Sequence, residues 1–222
     1  MPRHPIFTDA LLDLALGDEV VLPPAAQGRG LRFAHQGWIE ALTRAPWWSP
    51  YAVWLPALAA EIASSPRELG PGAIGLRLVI GVGWWTLAEY VLHRSVFHLP
   101  PITDVRKVVT FVLHRHHHRD PGALDRLAAT PPQAASLLVP MALAGRAVDP
   151  AGWAWCAAGI IGAYVAYEAL HYSHHHRRPR TALGRWLRER HLRHHHVDPT
   201  RNFGISSPLW DVALGTGLPA AR

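Results

Sequence analysis

Cysteine and lysine are nearly absent from this chain: Cys156 and Lys107 stand alone among 222 residues. A single cysteine excludes an intramolecular disulfide and any metal site built on thiolates. No signal peptide is expected, because Met1–Ala10 puts two prolines and two charged residues ahead of any apolar run. Acidic residues are also scarce, 16 against 22 basic ones, for a formal net charge of +6. That excess admits nucleic acid, anionic lipid or membrane topology as its cause, and only its placement decides among them.

What is abundant is proline, tryptophan and histidine, at 20, 10 and 16 residues. Amphipathic tryptophan rings settle at the lipid–water boundary, and this many suit a membrane protein better than a soluble domain of the same length. After a mixed, polar segment 1–45, in which Phe7–Leu16 reads as a short helix, four apolar stretches follow. They run from about Pro46 to Ala63, made irregular by Pro50 and Pro56, and from Pro71 to Leu92, interrupted by Arg77. The third is Pro131 to Val148 and the fourth Ala151 to Tyr172. Crossing ~30 Å of hydrocarbon takes roughly 20 helical residues, so the first and third are slightly short.

Paired as two hairpins, the stretches leave 1–45, 93–130 and 173–222 on one side, holding 19 of the 22 Lys and Arg residues. The opposite loops hold only Arg67 and Arg146. This is the positive-inside asymmetry, and it puts the three segments on the cytoplasmic face. A nucleic-acid surface needs no such segregation, so nucleic acid is excluded as a partner. The expected fold is all-α and integral to the membrane, with an N-terminal interfacial or cytosolic segment 1–45, a membrane-embedded domain 46–217 and a short tail 218–222. Arginine and alanine richness with one lysine is the pattern of a GC-rich bacterial gene, whose membrane would be the inner one.

Histidine is the strongest signal. Fourteen of the 16 fall in four windows, at 93–98, 114–118, 171–176 and 191–196. H-x-x-H-H occurs twice, as His114, His117, His118 and as His191, His194, His195. On a helix, positions i, i+3 and i+4 share a face, so each triad is expected to aim three imidazoles at one point. His171 and His175 form an i, i+4 pair at the end of the fourth stretch. His93 and His98, five apart, fall about 140° from one another on a regular helix, so either the helix is broken or distorted near Ser95 and they converge, or each binds a different ion. Ten imidazoles suit two metal ions with about five ligands each, and imidazole suits Fe, Zn, Cu or Ni. His116, His174, His176 and His196 fall off the shared faces and read as supporting or surface groups, His4 and His35 as surface.

A metal-buffering tract would be one contiguous polar run, not four windows of ligand spacing. A metal transporter would carry ionisable groups at mid-membrane, whereas Gly81-Val82-Gly83 and Gly159-Ile160-Ile161 are apolar. Glu89 and Glu168, four and three residues before His93 and His171, are candidates to accept the outer N–H of a ligating imidazole. The competing reading is an interfacial carboxylate paired with arginine. Tyr172 is a third candidate supporting group.

These residues carry a resemblance. The run Glu89-Tyr90-Val91-Leu92-His93 to His98, His114 to Pro121, Asp125-Arg126-Leu127, Tyr167 to Tyr172, His191 to His195, Phe203 to Ser207, Leu209-Trp210-Asp211 and Gly215-Thr216 resembles the fatty acid hydroxylase/sterol desaturase superfamily. It is most similar to fatty acid 2-hydroxylases acting on sphingolipid acyl chains, over roughly residues 84–217. The resemblance implies four transmembrane helices, a cytosolic helical cap carrying the metals, and an O2-dependent di-iron hydroxylase whose ligands are the ten histidines. Its substrate would be a lipid acyl chain drawn from the bilayer. Zinc has no redox chemistry and would be an adventitious occupant of a purified sample. With no cytochrome b5 domain ahead of the membrane part, the electron donor is expected to be a separate cytochrome b5-like or ferredoxin-like protein. Glu168 departs from the aspartate expected there. The shared chemistry leaves a desaturase or hydroxylase of a sterol, carotenoid or lipid head group as the alternative within the enzyme class.

Overall fold

The computed structural model describes residues 4–17, 31–63 and 69–219; Arg67 lies outside them. Apart from one β-bridge between Phe7 and Ala34, every regular element among these residues is helical. In chain order they are α1 (Asp9–Leu16), α2 (Gly37–Leu42), α3 (Ser49–Ala63), α4 (Pro71–Leu92), α5 (Asp104–Thr110), α6 (His116–Arg119), α7 (Pro131–Val148), α8 (Trp153–His176), α9 (Ala182–His196) and α10 (Leu209–Ala213). Two π-helical turns interrupt them: His93–Phe97 prolongs α4, and Phe111–Arg115 joins α5 to α6.

Local chemistry sets the boundaries. Thr130 and Gln133 form a reciprocal capping box, and Pro131 stands at the first turn of α7, where a missing N–H costs nothing. Thr181 caps α9 through its hydroxyl. α8 runs four residues past the expected end at Tyr172, so the third histidine window is its last turn.

Among the described residues two helices are long and apolar enough to cross a membrane: Pro71–Phe97, at 27 residues, and Trp153–His176, at 24. The 15-residue α3 and 18-residue α7 do not qualify. α4 turns Leu76, Val79, Ile80, Val82 and Trp84 outward, the pattern of a helix whose solvent is lipid.

α4 and α8 are the central pair, and two glycines let them meet. A Cβ at Gly81 would lie 2.1 Å from the Cys156 carbonyl oxygen, and one at Gly159 2.3 Å from that of Leu78. Such small-residue crossings bring helix backbones together where lipid supplies no hydrophobic drive. The contact also leaves no ion path between these two helix centres. Arg77, the charge inside the second stretch, pairs with Asp149 at 2.8 Å beside the α7–α8 turn. Trp85, Leu138, Trp153, Ile160 and Tyr164 fill the space among α4, α7 and α8.

The described parts of 1–45 are folded onto the second histidine region. Leu11, Leu14 and Phe33 pack on Phe111, and Glu40 accepts from the Phe33 and Ala34 amides while pairing with Arg44 and the buried Arg126.

Candidate metal centre

The four histidine windows converge at one end of α4 and α8, in two adjacent groups of five. Nitrogens of His93, His98, His114, His118 and His194 all lie within 4.8 Å of one another, as do those of His117, His171, His175, His191 and His195. These are the ten histidines read from the spacing.

The pairing corrects one expectation. Each H-x-x-H-H triad is divided rather than aimed at a single point. His114 and His118 serve the first group while His117 serves the second; His191 and His195 serve the second while His194 crosses to the first. Neighbours such as His117 and His118 are about 100° apart around a helix axis, so they face different centres. The groups touch where His118 stacks on His195 at 4.1 Å between ring centroids.

The distortion needed near Ser95 is the π-turn. A π-turn closes on the fifth residue rather than the fourth, and here the His98 amide donates to the His93 carbonyl at 3.1 Å. The extra residue brings His98 back over His93, their rings 5.0 Å apart. In the second π-turn the His116 amide closes on the Phe111 carbonyl. The His116 ring lies against that carbonyl at 3.0 Å and that of Arg126 at 3.2 Å, a structural position outside both groups. His174 is buried beside His191, the His176 ring lies tilted against Tyr172, and His196 is exposed. His4 reaches the Ile6 and Phe7 amides, and His35 is exposed.

The donor set fits metal ions. His93 Nδ1 meets the Phe203 carbonyl at 2.6 Å and His194 Nδ1 that of Arg201 at 2.7 Å. A carbonyl only accepts, so each Nδ1 carries the proton and each Nε2 is a bare lone pair. Those Nε2 atoms face other ring nitrogens, His114 at 3.0 Å and His98 at 3.1 Å. In the second group His117 Nε2 sits 2.8 Å from His171 and 3.1 Å from His175, which is 2.7 Å from His191. Nitrogens at right angles around a shared ion, with bonds near 2.1 Å, lie about 3.0 Å apart. Protons cannot satisfy so many converging nitrogens; cations can.

Electrostatics agree. Burial holds His114, His117, His118 and His191 well below the usual imidazole range, with neighbouring rings adding to it. Burial, then His194, brings His98 down to about 3. His194 falls to about 4 through burial, partly opposed by the Arg201 carbonyl, and His195 to about 2 through burial, then His175. Neutral rings are what metal ligation requires.

The supporting residues stand elsewhere than expected. Glu89 does not take an imidazole N–H. Its Oε1 accepts from the Ile205 and Ser206 amides at 2.5 and 2.9 Å, and its Oε2 from the Ser206 hydroxyl. It anchors the segment that presents the Phe203 carbonyl to His93. Glu168 accepts from the Ala129 amide at 3.2 Å, and Tyr172 stacks on Trp47 at 4.8 Å. Among the described residues neither glutamate pairs with an arginine, and neither Glu168 nor Tyr172 bonds a ring nitrogen of the two groups.

Asp211 was quoted for the resemblance without a role, and it organises this segment. Fully buried, it accepts from the Phe203 and Gly204 amides, both at 2.9 Å, from the Thr216 hydroxyl at 2.7 Å and from Arg190 at 3.0 Å. Asn202, at φ +55°, turns the chain there and bonds the Arg190 carbonyl. In the sequence nothing marked this role beyond its place in the run Leu209-Trp210-Asp211.

Below the histidines lies a cavity of about 300 Å³. Trp85, Leu92, Phe97, Leu113, Leu137 and Tyr164 give it a largely apolar wall, and His114, His117 and His171 bring both groups to its surface.

A family model described as fatty acid hydroxylase matches residues 78–216. A dihydroceramide fatty acyl 2-hydroxylase of Arabidopsis thaliana is 36% identical over 217 residues, covering 93% of this chain and 90% of the relative. A fatty acid 2-hydroxylase of Homo sapiens is 29% identical over 226 residues, 91% of this chain and 60% of the relative. A solved structure of full-length scs7p, in which only the hydroxylase domain is visible, superposes with a TM-score of 0.74 at 30% identity. It covers 84% of this chain and 73% of that one. The chain belongs to the fatty acid hydroxylase family and is a lipid hydroxylase.

Proposed function

We propose that this protein is an O2-dependent di-iron monooxygenase that hydroxylates C2 of a fatty acyl chain on a sphingolipid-like membrane lipid. The carrying observation is the pair of five-nitrogen groups that share one apolar cavity. His93, His98, His114, His118 and His194 would hold one ion; His117, His171, His175, His191 and His195 would hold the other. The C2–H bond, although next to the acyl carbonyl, is far too weakly acidic for a side-chain base to break, and replacing its hydrogen by hydroxyl is an oxidation, so a redox metal carries the step: when bound, the iron pair supplies the oxidising power that O2 brings to carbon.

The chain's own residues do the rest. The Phe203 and Arg201 carbonyls fix the His93 and His194 tautomers and orient their rings. The apolar wall holds the alkyl chain and excludes water from the reacting carbon. His114, His117 and His171 bring both groups to the cavity wall, so the side of the site that faces the alkyl chain is the side the ligating rings present to it. The domain 46–217 sits in the bilayer as two hairpins. α3 and α7 span incompletely, and the histidines cap the cytoplasmic end, with 19 of the 22 basic residues on that side. Electrons come from a separate carrier protein.

The test is lipid mass spectrometry on cells with and without the gene under 18O2. The expected product is an acyl lipid one labelled oxygen heavier, with the hydroxyl on C2. An unchanged lipid profile refutes the reading.

A further inference from the structure

Between Asn202 and Pro219 the chain carries one charged side chain, Asp211, and that one is fully buried. This stretch follows α9, on the side that holds most of the basic residues, yet it runs beside the spanning helix α4. Its contacts descend that helix and climb back. The Phe203 carbonyl meets His93, the Ile205 and Ser206 amides meet Glu89, and the Trp210 indole N–H donates to the Thr86 hydroxyl at 3.2 Å. Past α10 the chain returns, and the Thr216 and Tyr90 hydroxyls meet at 3.0 Å. The two ends then close on each other. The Asn202 amide donates to the Thr216 carbonyl at 2.9 Å, and the Leu218 amide to the Asn202 side-chain oxygen at 2.8 Å.

Thr86 fixes how deep the dip goes, because it lies well inside the span Pro71–Phe97. Wherever the roughly 20 residues that cross the hydrocarbon are taken within that span, Thr86 stands about four residues or more, about 6 Å, from the nearer boundary. The tip of the dip is at acyl-chain depth, and its surface suits that place. Leu209, Val212 and Leu214 are 54%, 74% and 53% exposed, and α4 continues the same apolar surface with Val79 and Val82 at 69% and 45%. Val79, Val82 and Thr86 share one side of α4 by their spacing of three and four.

The polar groups of the segment are arranged as lipid demands. Irregular backbone at membrane depth must be bonded within the protein. Asp211 and Glu89 take the amides from Phe203 to Ser206, and the Val212 and Leu214 amides close on the Pro208 and Trp210 carbonyls. Asp211 is itself paired with Arg190, the state in which a carboxylate is tolerated near hydrocarbon. Free-standing cations appear only at the upper ends: Arg201 reaches the Gly215 and Gly217 carbonyls, and Arg193 the Pro219 carbonyl. Long basic side chains at that level meet head groups.

We infer that residues 202–218 form a re-entrant segment that dips along α4 into the leaflet on the histidine side and returns, with α10 seated among lipid acyl chains. The partner of this surface is the bilayer, where the charge count alone would leave the segment in water. Lipid thus backs the stretch that presents the Phe203 carbonyl to His93. The seat goes beyond the hydroxylase reading and does not depend on it.

The test uses the full-length protein in phosphatidylcholine nanodiscs, where both faces meet solvent. Cys156 is buried and is the chain's one cysteine, so Val212→Cys adds a single accessible thiol for a fluorescent label. Arg178→Cys, at an exposed position between α8 and α9, is the reference. Two quenchers are compared: iodide in the water, and a doxyl-labelled lipid whose spin label sits near the top of the acyl chain. For a site below the head groups, the doxyl lipid should quench the label at 212 about threefold more than at 178, and iodide about fivefold less. Leu209→Cys repeats the measurement at a second exposed position of α10 and should agree. If iodide reaches 212 as readily as 178 and the doxyl lipid has no effect, the tip stands in water and the inference is overturned. It is overturned equally if neither quencher reaches the label, since a second copy of the chain then covers the patch.

Discussion

Replacing Asp211 with Asn keeps the side chain's shape and removes one acceptor from a site that offers four donors. Oδ1 takes the Phe203 amide and the Thr216 hydroxyl; Oδ2 takes the Gly204 amide and Arg190. Whichever way the amide is turned, its NH2 faces two donors. A buried donor left unpaired costs about 1–3 kcal/mol, and a buried ion pair deprived of one partner about 3–5 kcal/mol. Arg190 is 12% and Asp211 0% exposed at the side chain, so little solvent screens the change. The two costs overlap at Arg190, and a destabilisation of about 3–5 kcal/mol follows. The effect on metal is more specific. Asp211 holds the segment whose carbonyls orient His93 and His194, both in the first group, and losing such orientation typically weakens metal binding 10–100-fold. In the second group, the His171 and His191 Nδ1 atoms have no hydrogen-bond partner among the described residues, so no carbonyl of the segment orients those two rings. A chelator titration of the iron-loaded protein under nitrogen should therefore show one ion released at 10–100-fold lower chelator in Asp211→Asn and the other unchanged. Parallel weakening of both ions, or of neither, refutes the reasoning.

Three further outcomes follow from the same geometry. The double variant His117→Ala, His195→Ala should keep the first ion and lose the second, and His118→Ala, His194→Ala the reverse. Metal per protein should drop from two to one in each, and loss of both ions from either would show that the triads are not divided. Gly159→Ala places a Cβ 2.3 Å from the Leu78 carbonyl oxygen and should cost about 1–3 kcal/mol by overpacking, read as a lower thermal midpoint in detergent; an unchanged midpoint would mean that α4 and α8 stand apart. For metal-free protein, His194 and His195 are neutral in the fold down to about pH 4 and about 2, while unfolded histidine takes up a proton near 6.5. The contribution of each ring is complete above that value. It falls as pH drops below it, by about 1.4 kcal/mol per pH unit until the folded value is reached. Chemical denaturation at pH 7.5 and 5.5 should show the loss, and equal stabilities would contradict it.

Much of this was legible because imidazole is a rare side chain with few structural uses. Ten rings at ligand spacing, in a chain with one cysteine, leave little chemistry but metal binding. The bounds of α4 and α7 were legible for a similar reason, since Pro71 and Pro131 stand at their first turns and mark them in any sequence. The division of the triads was not. Spacing says that i, i+3 and i+4 lie on one side of a helix, and that side is wide enough to face two ions at once. Which ring meets which ion depends on the angle at which α6 and α9 approach, a tertiary quantity with no local signature.

The orienting groups were hidden for a different reason. A search for side chains that fix a histidine finds Glu89 and Glu168, because carboxylates are visible in sequence and backbone carbonyls are not. In the fold the carbonyls of Phe203 and Arg201 do the orienting, and the carboxylates act one step further out: Glu89 and Asp211 together bond the amides from Phe203 to Ser206. This arrangement suits the location. A carboxylate in direct contact with a ligating ring would add negative charge beside the metal and raise the ring's basicity, whereas a carbonyl fixes the tautomer with a dipole alone. Holding that carbonyl then requires every amide nearby to be satisfied, since an unpaired backbone group at this depth costs as much as the bond it would replace. The π-turn answers the same constraint on the other side of the first group. It moves His98 into reach of His194 by inserting one residue into a helix that must otherwise stay hydrogen-bonded, and the His98 amide still finds the His93 carbonyl.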